Sequence, residues 1–209
     1  MSLRPLPLGS AVCAGLLALG LSAQSAPRSF EGMQTYALTL SPDARQLFVV
    51  NTPDARLSVY DLREAAAPQL WREIPTALAP VAVAARTTEE VWVVCQLSDC
   101  VQVVDTTSGV VRATLATSDE PMDVVFAGGK AFVSCATERE VQVFDAVTRA
   151  PLGTIPVRCD DPGPMVVDRS GTTVYVASRM SGNDTTIVND AFAPAQPAPT
   201  NPSLPAPPQ

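Results

Sequence analysis

The sequence predicts an all-β fold built from four similar units of short strands. Landmark residues of three kinds recur at intervals of 40 to 44 positions through the middle of the chain. They are prolines (Pro80, Pro121, Pro164), aromatic residues (Phe48, Trp92, Phe132, Tyr175) and polar residues at strand ends (Asp61, Asp105, Asp145, Asn189). Short valine-rich runs between turn-forming residues are typical of strands. Radial repetition covers both faces of every unit, so the sequence predicts a β-propeller of about four four-stranded antiparallel blades.

The strands occur in the same order in every unit. The first strand ends at a tight turn, such as Ser41-Pro42-Asp43 or Gly128-Gly129, where proline and glycine supply the required backbone angles. The second strand, for example residues 91–95 (VWVVC), is apolar throughout, which indicates burial on both faces. The predicted strands are residues 81–85, 122–126 and 165–168 (first), 48–51, 91–95, 131–135 and 174–178 (second), 57–61, 101–105, 141–145 and 186–189 (third), and 70–74, 111–115 and 152–155 (fourth). A β-sandwich is the alternative, but it gives no reason for landmarks that recur at a fixed interval.

Residues 1–25 are predicted to be a bacterial-type signal peptide. Arg4 precedes an apolar run at residues 11–21 (AVCAGLLALGL), and small residues suited to signal peptidase follow at Ser22 and Ala23. The run is shorter than the roughly 20 apolar residues of a membrane-spanning helix, so no membrane span is expected. A buried N-terminal helix is the alternative. Export predicts a periplasmic or extracellular location for the blades, which occupy residues 27–190.

The last part of the chain, residues 191–209, is predicted to be a proline-rich linker or tail. Residues 192–209 (FAPAQPAPTNPSLPAPPQ) cannot donate ladder hydrogen bonds regularly, because proline has no backbone N–H. Three explanations stay open for a chain with only four blades. Further blades or a second domain follow Gln209, or the blades form an open arc, or they assemble with another chain.

The composition excludes several classes of function. The net charge is −7, and no basic stripe is present to neutralise phosphates, so no nucleic-acid partner is expected. The chain has no histidine, which removes the usual general base, zinc ligand and haem ligand. Carboxylates, tyrosines or the single lysine, Lys130, are the remaining groups for catalysis. The sequence therefore predicts no catalytic residues, no metal site and no cofactor.

Four stretches resemble the YVTN-type β-propeller repeats of exported bacterial and archaeal proteins. They are residues 37–51 (ALTLSPDARQLFVVN), 80–95, 121–135 and 164–178 (PMVVDRSGTTVYVAS), and the resemblance covers about residues 34–190. The asparagine that ends the second strand in this family occurs once, as Asn51, and is replaced by Cys95, Cys135 and Ser178. The resemblance implies a propeller of about seven blades, of which this chain supplies about four. It implies little about activity, because one scaffold hosts many functions.

Four cysteines follow the predicted signal peptide, and export favours disulfide bonds between them. Cys95 and Cys100 flank one short loop, whereas Cys135 ends a second strand and Cys159 lies in the connection to the fourth unit. Four cysteines allow three pairings. The preferred one is Cys95–Cys100 with Cys135–Cys159, since the last two belong to loops that leave a propeller on the same rim. The spacing lacks the C-x-x-C of a thiolate metal site.

The candidate binding residues lie on two loops outside the repeat pattern. Residues 158–163 (RCDDPG) contribute Arg158 and Asp160, and residues 179–184 (RMSGND) contribute Arg179 and Asp184. Both loops are expected on one rim, where these four side chains are predicted to line a site for a polar ligand or a partner. Ordinary solvated loops are the alternative. The recurrent Asp61, Asp105 and Asp145 are interpreted as turn-forming residues.

Taken together, these features predict an exported, non-catalytic β-propeller module that binds a protein partner or an adjacent domain through its loop rim. Two other hypotheses stay open. One is the propeller domain of a larger redox (cytochrome-linked) or lactone-hydrolysing enzyme whose catalytic part lies beyond this chain. The other is a structural protein of the cell surface or envelope.

Overall fold

The computed structural model describes residues 34–64 and 67–180. Within them the chain forms antiparallel sheets that follow one another along the sequence. Blade 1 contains β1 (Leu38–Leu40), β2 (Gln46–Asn51), β3 (Arg56–Asp61) and β4 (Gln69–Pro75). Blade 2 contains β5 (Pro80–Ala85), β6 (Glu90–Cys95), a 3-10 helix (Gln96–Ser98), β7 (Cys100–Asp105) and β8 (Val110–Ala116). Blade 3 contains β9 (Pro121–Ala127), β10 (Lys130–Cys135), β11 (Glu140–Asp145) and β12 (Pro151–Pro156), and blade 4 contains β13 (Asp160–Val167) and β14 (Val174–Met180).

The blades are arranged side by side around a common axis. In each four-stranded sheet the strand order equals the chain order, so β1, β5 and β9 are first in their blades, as β13 is in blade 4. The segment before β1 pairs in parallel with β5, through Val83 N–H to Tyr36 O (3.0 Å) and Thr35 N–H to Val81 O (2.9 Å). Strand β9 contacts both β5 and β13. This arrangement is a partial β-propeller, as the repeat predicts.

The core consists of apolar layers between neighbouring blades. Val91 and Val93 of β6 pack with Phe48 of blade 1, whereas Trp92 and Val94 of the same strand pack toward blade 3. Because β6 is covered on both faces, its side chains from Val91 to Cys95 are fully buried, which confirms the interpretation of its unbroken apolar run. The indole of Trp92 meets the Phe126 ring edge to face, with centroids 5.4 Å apart.

The outer sheet faces of blades 1 and 4, at the two ends of the arc, expose apolar side chains of the kind that are buried between neighbouring blades. At blade 1 the side chains of Leu38 and Leu40 are 59% and 50% exposed. At blade 4 Val166 and Tyr175, which are direct cross-strand partners, are 56% and 59% exposed. In the part of the chain that the structure describes, no further blade covers either face.

Most predicted strands are confirmed to within one or two residues, but the two candidate loops are partly wrong. Residues 160–163 belong to β13 and Arg179 belongs to β14, because the pairing continues to Asp160 opposite Met180. A register shift between Pro162 and Met165 forms a bulge that accommodates prolines without ladder N–H groups. The signal peptide, the strand at residues 186–189 and the proline-rich tail lie outside the described residues. Over residues 34–64 and 67–180, no helix has the length and apolar character that a bilayer crossing requires.

Candidate binding rim

One edge of the arc carries the loops between second and third strands together with the connections between blades. Backbone hydrogen bonds join each loop to the connection that leaves the same blade: Thr76 N–H to Ala55 O (2.9 Å), Thr117 N–H to Asp99 O (2.9 Å) and Val157 N–H to Arg139 O (2.8 Å). We call this edge the binding rim; it comprises residues 52–55, 96–99 and 136–139 and the connections 76–79, 117–120 and 157–159. Because the same bond recurs at all three junctions, the rim is a product of the repeat.

Of the four predicted site residues, Arg158 lies on this rim, and Asp160 and Arg179 lie beside it, at the ends of β13 and β14. Asp160 forms an ion pair with Arg139, with 2.6 Å between Oδ1 and Nη2. Arg179 forms one with Asp161, with 3.0 Å between Nη2 and Oδ2. Arg158 is exposed on the connection before β13, and Asp184 lies outside the described residues. A cavity of about 380 Å³ opens there, lined by Glu120, Ala136, Thr137, Arg139, Asp160 and Asp161.

The backbone beside the cavity determines the position of Arg179. Gly163 is buried, and a Cβ at this position would lie 2.7 Å from Cγ and Cδ of Arg179. The Gly163 carbonyl accepts a hydrogen bond from Ser134 Oγ at 2.8 Å, which connects β13 to blade 3. Close approach of the arginine stem to this glycine therefore directs the guanidinium toward Asp161. Sequence reasoning missed Arg139 and Glu120, because the ion pair of Arg139 with Asp160 and the place of Glu120 in the cavity wall depend on how the blades pack.

The recurrent aspartates have the structural role that the repeat predicts. Asp145 Oδ1 accepts the backbone N–H groups of Val147 (2.9 Å) and Thr148 (2.7 Å). The Ser108 backbone N–H, followed by the Arg112 guanidinium, lowers the pKa of Asp105 to about 2. These carboxylates are therefore ionised hydrogen-bond acceptors that stabilise turns at the opposite edge of the blades.

All four described cysteines are free thiols in the structure, so neither predicted disulfide is formed there. Cys95 and Cys100 stand directly opposite each other in β6 and β7. A hydrogen bond between their thiols raises the pKa of Cys95 and lowers the pKa of Cys100. Cys135 is buried, and this burial raises its pKa to about 12. Cys159 is half-buried on the binding rim. Both disulfide pairs stay predictions.

The most perturbed carboxyl group is a residue that sequence reasoning did not single out. Asp123 lies on β9 and is 2% exposed. Its oxygens accept the backbone N–H groups of Val124 (2.8 Å) and of Met165 in β13 (2.7 Å). Burial raises the pKa of Asp123 to about 7. The signal in the sequence is that Asp123 replaces the apolar Ala82 and Val166 of the neighbouring repeats.

A cavity of about 260 Å³ lies among the innermost strands and is lined by Asp123 together with apolar side chains such as Val83 and Leu38. The carboxylate reaches across this region to β13, so its contacts hold blade 4 against blade 3. Among the residues that the structure describes, no group of three or more histidine, cysteine or acidic side chains is placed to hold a metal ion. The residues therefore define a class: a partial propeller with a charged loop rim.

Comparison with known proteins supports this class at the level of the fold. The chain is similar to hydrazine synthase of Kuenenia stuttgartiensis, with a TM-score of 0.62 and 21% identity over 72% of this chain and 44% of that chain. It is also similar to a putative 6-phosphogluconolactonase from Bacteroides uniformis, with a TM-score of 0.60 and 15% identity over 72% of this chain and 52% of that chain. The chain thus spans about half the length of these β-propeller proteins. No family model and no curated protein matches the sequence.

Proposed function

We propose that the chain is an exported, non-catalytic propeller module with YVTN-type repeats, and that it binds a protein partner or an adjacent domain through the binding rim. The observation that carries this proposal is the charged cavity between blades 3 and 4. Its walls are formed by ion-paired side chains that belong to different blades, Arg139 with Asp160. The absence of histidine from the sequence supports a binding role over an acid–base one.

The exposure of these charges favours an exchangeable contact surface. The side chain of Arg139 is 62% exposed in its pair with Asp160. Exposed ion pairs stabilise a fold by only about 0–1 kcal/mol, so the blades do not depend on this one. A partner with alternating charges replaces such a pair at little cost, and the long-range field of the rim selects partners by charge complementarity.

Charge reversal on the rim tests the proposal. The exported chain is immobilised and exposed to the secreted or periplasmic proteins of its source, as wild type, as Arg139→Glu with Arg158→Glu, and as Arg169→Glu. Arg169 is an exposed arginine at the opposite edge of blade 4, so it serves as the matched control. We expect a protein that wild type and the control retain and that the rim variant loses. Equal retention by all three, or turnover of a small substrate by the chain alone without any retained protein, contradicts the proposal.

A second candidate function is the propeller domain of a larger enzyme. Two observations favour it. Further blades of a larger protein would cover the two exposed terminal faces, and both similar proteins have the names of enzymes. Reading the coding sequence beyond Gln209 distinguishes the candidates. A C-x-x-C-H motif supports a cytochrome-linked enzyme, further repeats alone support a complete binding propeller, and a long array of other modules supports an envelope protein.

A further inference from the structure

A second groove opens between blades 1 and 2, at the edge opposite the binding rim. Its volume is about 330 Å³, at the lower end of the range of small-molecule sites, which is about 300–1,000 Å³. The loops after β1, β3 and β5 contribute most of its wall. Its main side chains are Trp71, Asp43, Arg45, Asp61, Arg63 and Glu89.

Trp71 is the feature of this groove that the repeat does not explain. The chain has two tryptophans; Trp92 is fully buried, whereas Trp71 is 46% exposed and lines the groove. The corresponding outer strands β8 (VVRATLA) and β12 (PLGTIP) contain no aromatic residue. Because this aromatic side chain lines the groove, it offers a ligand a large apolar contact face.

The neighbouring blade holds the indole in a defined position. The guanidinium of Arg72 lies over the Trp71 ring, 5.1 Å from its centroid. Arg72 Nη1 donates a hydrogen bond to the Ser108 carbonyl at 2.9 Å. Gly109, with a φ of +74°, gives Arg72 room, since a Cβ there would lie 2.5 Å from Nη1. The ring is therefore positioned before any ligand arrives, which reduces the entropy lost on binding.

The polar groups around Trp71 match an uncharged ligand with many hydroxyl groups. Three carboxylates and two guanidiniums line the groove, so acceptors and donors alternate and the net charge is small. Arg63 donates to Asp61, and this pair lowers the pKa of Asp61 to about 2, so the carboxylate remains an acceptor at neutral pH. An anionic ligand faces three carboxylates against two guanidiniums, and a purely apolar ligand displaces water from these charged groups without replacing its hydrogen bonds.

We propose that this groove binds a neutral carbohydrate, with one sugar ring packed against Trp71 and its hydroxyl groups bonded to Asp61 and Glu89. The C–H groups on one face of a sugar ring suit the electron-rich face of an indole. The hydroxyl groups at the ring edge donate to carboxylates and accept from guanidiniums, and charge-assisted hydrogen bonds of this type are the stronger ones. The site is separate from the binding rim, so it adds a ligand to the proposed module.

Intrinsic fluorescence tests the proposal directly, because the buried Trp92 is shielded and Trp71 dominates any response to a ligand. Cellohexaose, maltohexaose and chitohexaose are titrated into the full chain. We expect at least one of them to shift the emission and to protect it from acrylamide quenching. A synthetic peptide of residues 192–209 is the competing probe, since proline-rich segments also bind exposed aromatic side chains.

Calorimetric titration of variants locates the site. We expect Trp71→Leu to weaken binding of the active sugar at least about tenfold, which corresponds to about 1.4 kcal/mol. Glu89→Gln is expected to weaken it by a smaller factor. Leu152→Ala, at an exposed position on the outer strand β12 of blade 3, is the matched control and is expected to leave binding unchanged. The proposal is overturned if no hexasaccharide binds at millimolar concentration, if Trp71→Leu binds as wild type does, or if only the peptide binds.

Discussion

Asp123 makes the stability of the arc depend on pH in an unusual direction for a carboxyl group. Its pKa is raised by burial from 3.8 to about 7 in the folded chain. The folded state therefore binds this proton more tightly than the unfolded state does, and the associated stability is present below about pH 4 and lost as the pH rises through 7. The full shift corresponds to a free energy on the order of 4 kcal/mol.

We therefore expect the free energy of unfolding to fall between pH 5 and pH 8, and Asp123→Asn to remove most of this fall. Urea unfolding followed by circular dichroism measures both. Asp119→Asn, at an exposed position four residues away, is the control and is expected to keep the wild-type pH dependence. An unchanged pH dependence in Asp123→Asn would show that another group is responsible.

The facing thiols of Cys95 and Cys100 lead to a prediction for the oxidised protein. Directly opposed cysteines on neighbouring antiparallel strands are close enough for a disulfide after small adjustments. We expect protein recovered from the periplasm to yield a proteolytic fragment in which Cys95 is linked to Cys100. Cys95→Ser is expected to leave Cys100 as a free, titratable thiol. Recovery of both cysteines as free thiols from an oxidising compartment contradicts the prediction.

Residue roles that arise within a few positions of the chain could be predicted from the sequence, and roles that arise between blades could not. Asp145 bonds to backbone groups two and three positions away, so its repeated occurrence before a polar turn was sufficient. Asp123 bonds to a backbone group 42 positions away, and Arg139 reaches Asp160 in the next blade. Such contacts depend on the angle between blades, which no local pattern encodes.

At the level of single strands, the two tryptophans allow the same substitution to be compared in a core and at a surface. Trp92 on β6 is fully buried, packs on Phe126 and donates its Nε1–H to Glu90 at 2.9 Å. We expect Trp92→Ala to lower the free energy of unfolding by about 3–5 kcal/mol. Trp71→Ala on β4 is expected to lower it by less than about 1 kcal/mol.

Urea unfolding monitored by circular dichroism measures both changes without relying on tryptophan emission. Similar losses for the two variants would mean that Trp71 is part of the structural core and would weaken the case for a sugar site.

The position of strand β6 was predictable because β6 is a continuous apolar run. The extension of β13 was not, because residues 158–163 lie outside the repeat pattern and were predicted to form a loop, whereas a bulge keeps Pro162 and Pro164 within the strand.

For the whole molecule, the interval between landmarks was sufficient to predict the architecture. Each blade has apolar faces that must be buried, and the apolar layers between blades 1 and 2 and between blades 2 and 3 bury them in the same way. The way in which the ring closes was not predictable, because a repeat interval carries no information on the number of repeats. Closure of the ring therefore depends on what packs against the two terminal faces.

The exposed terminal faces predict how the chain behaves without additional blades. Leu40 at one end and Tyr175 at the other are 50% and 59% exposed, in positions whose equivalents inside the arc lie between blades. Contiguous apolar surface of this kind promotes association. We expect the chain to bind a hydrophobic dye and to show concentration-dependent association by sedimentation, both reduced by Leu40→Glu with Tyr175→Glu. Leu97→Glu, at a residue that is 70% exposed in the 3-10 helix of blade 2, is expected to change neither. If the chain stays monomeric and binds no dye at high concentration, the prediction is wrong. The two terminal faces would then be stable in water without further blades.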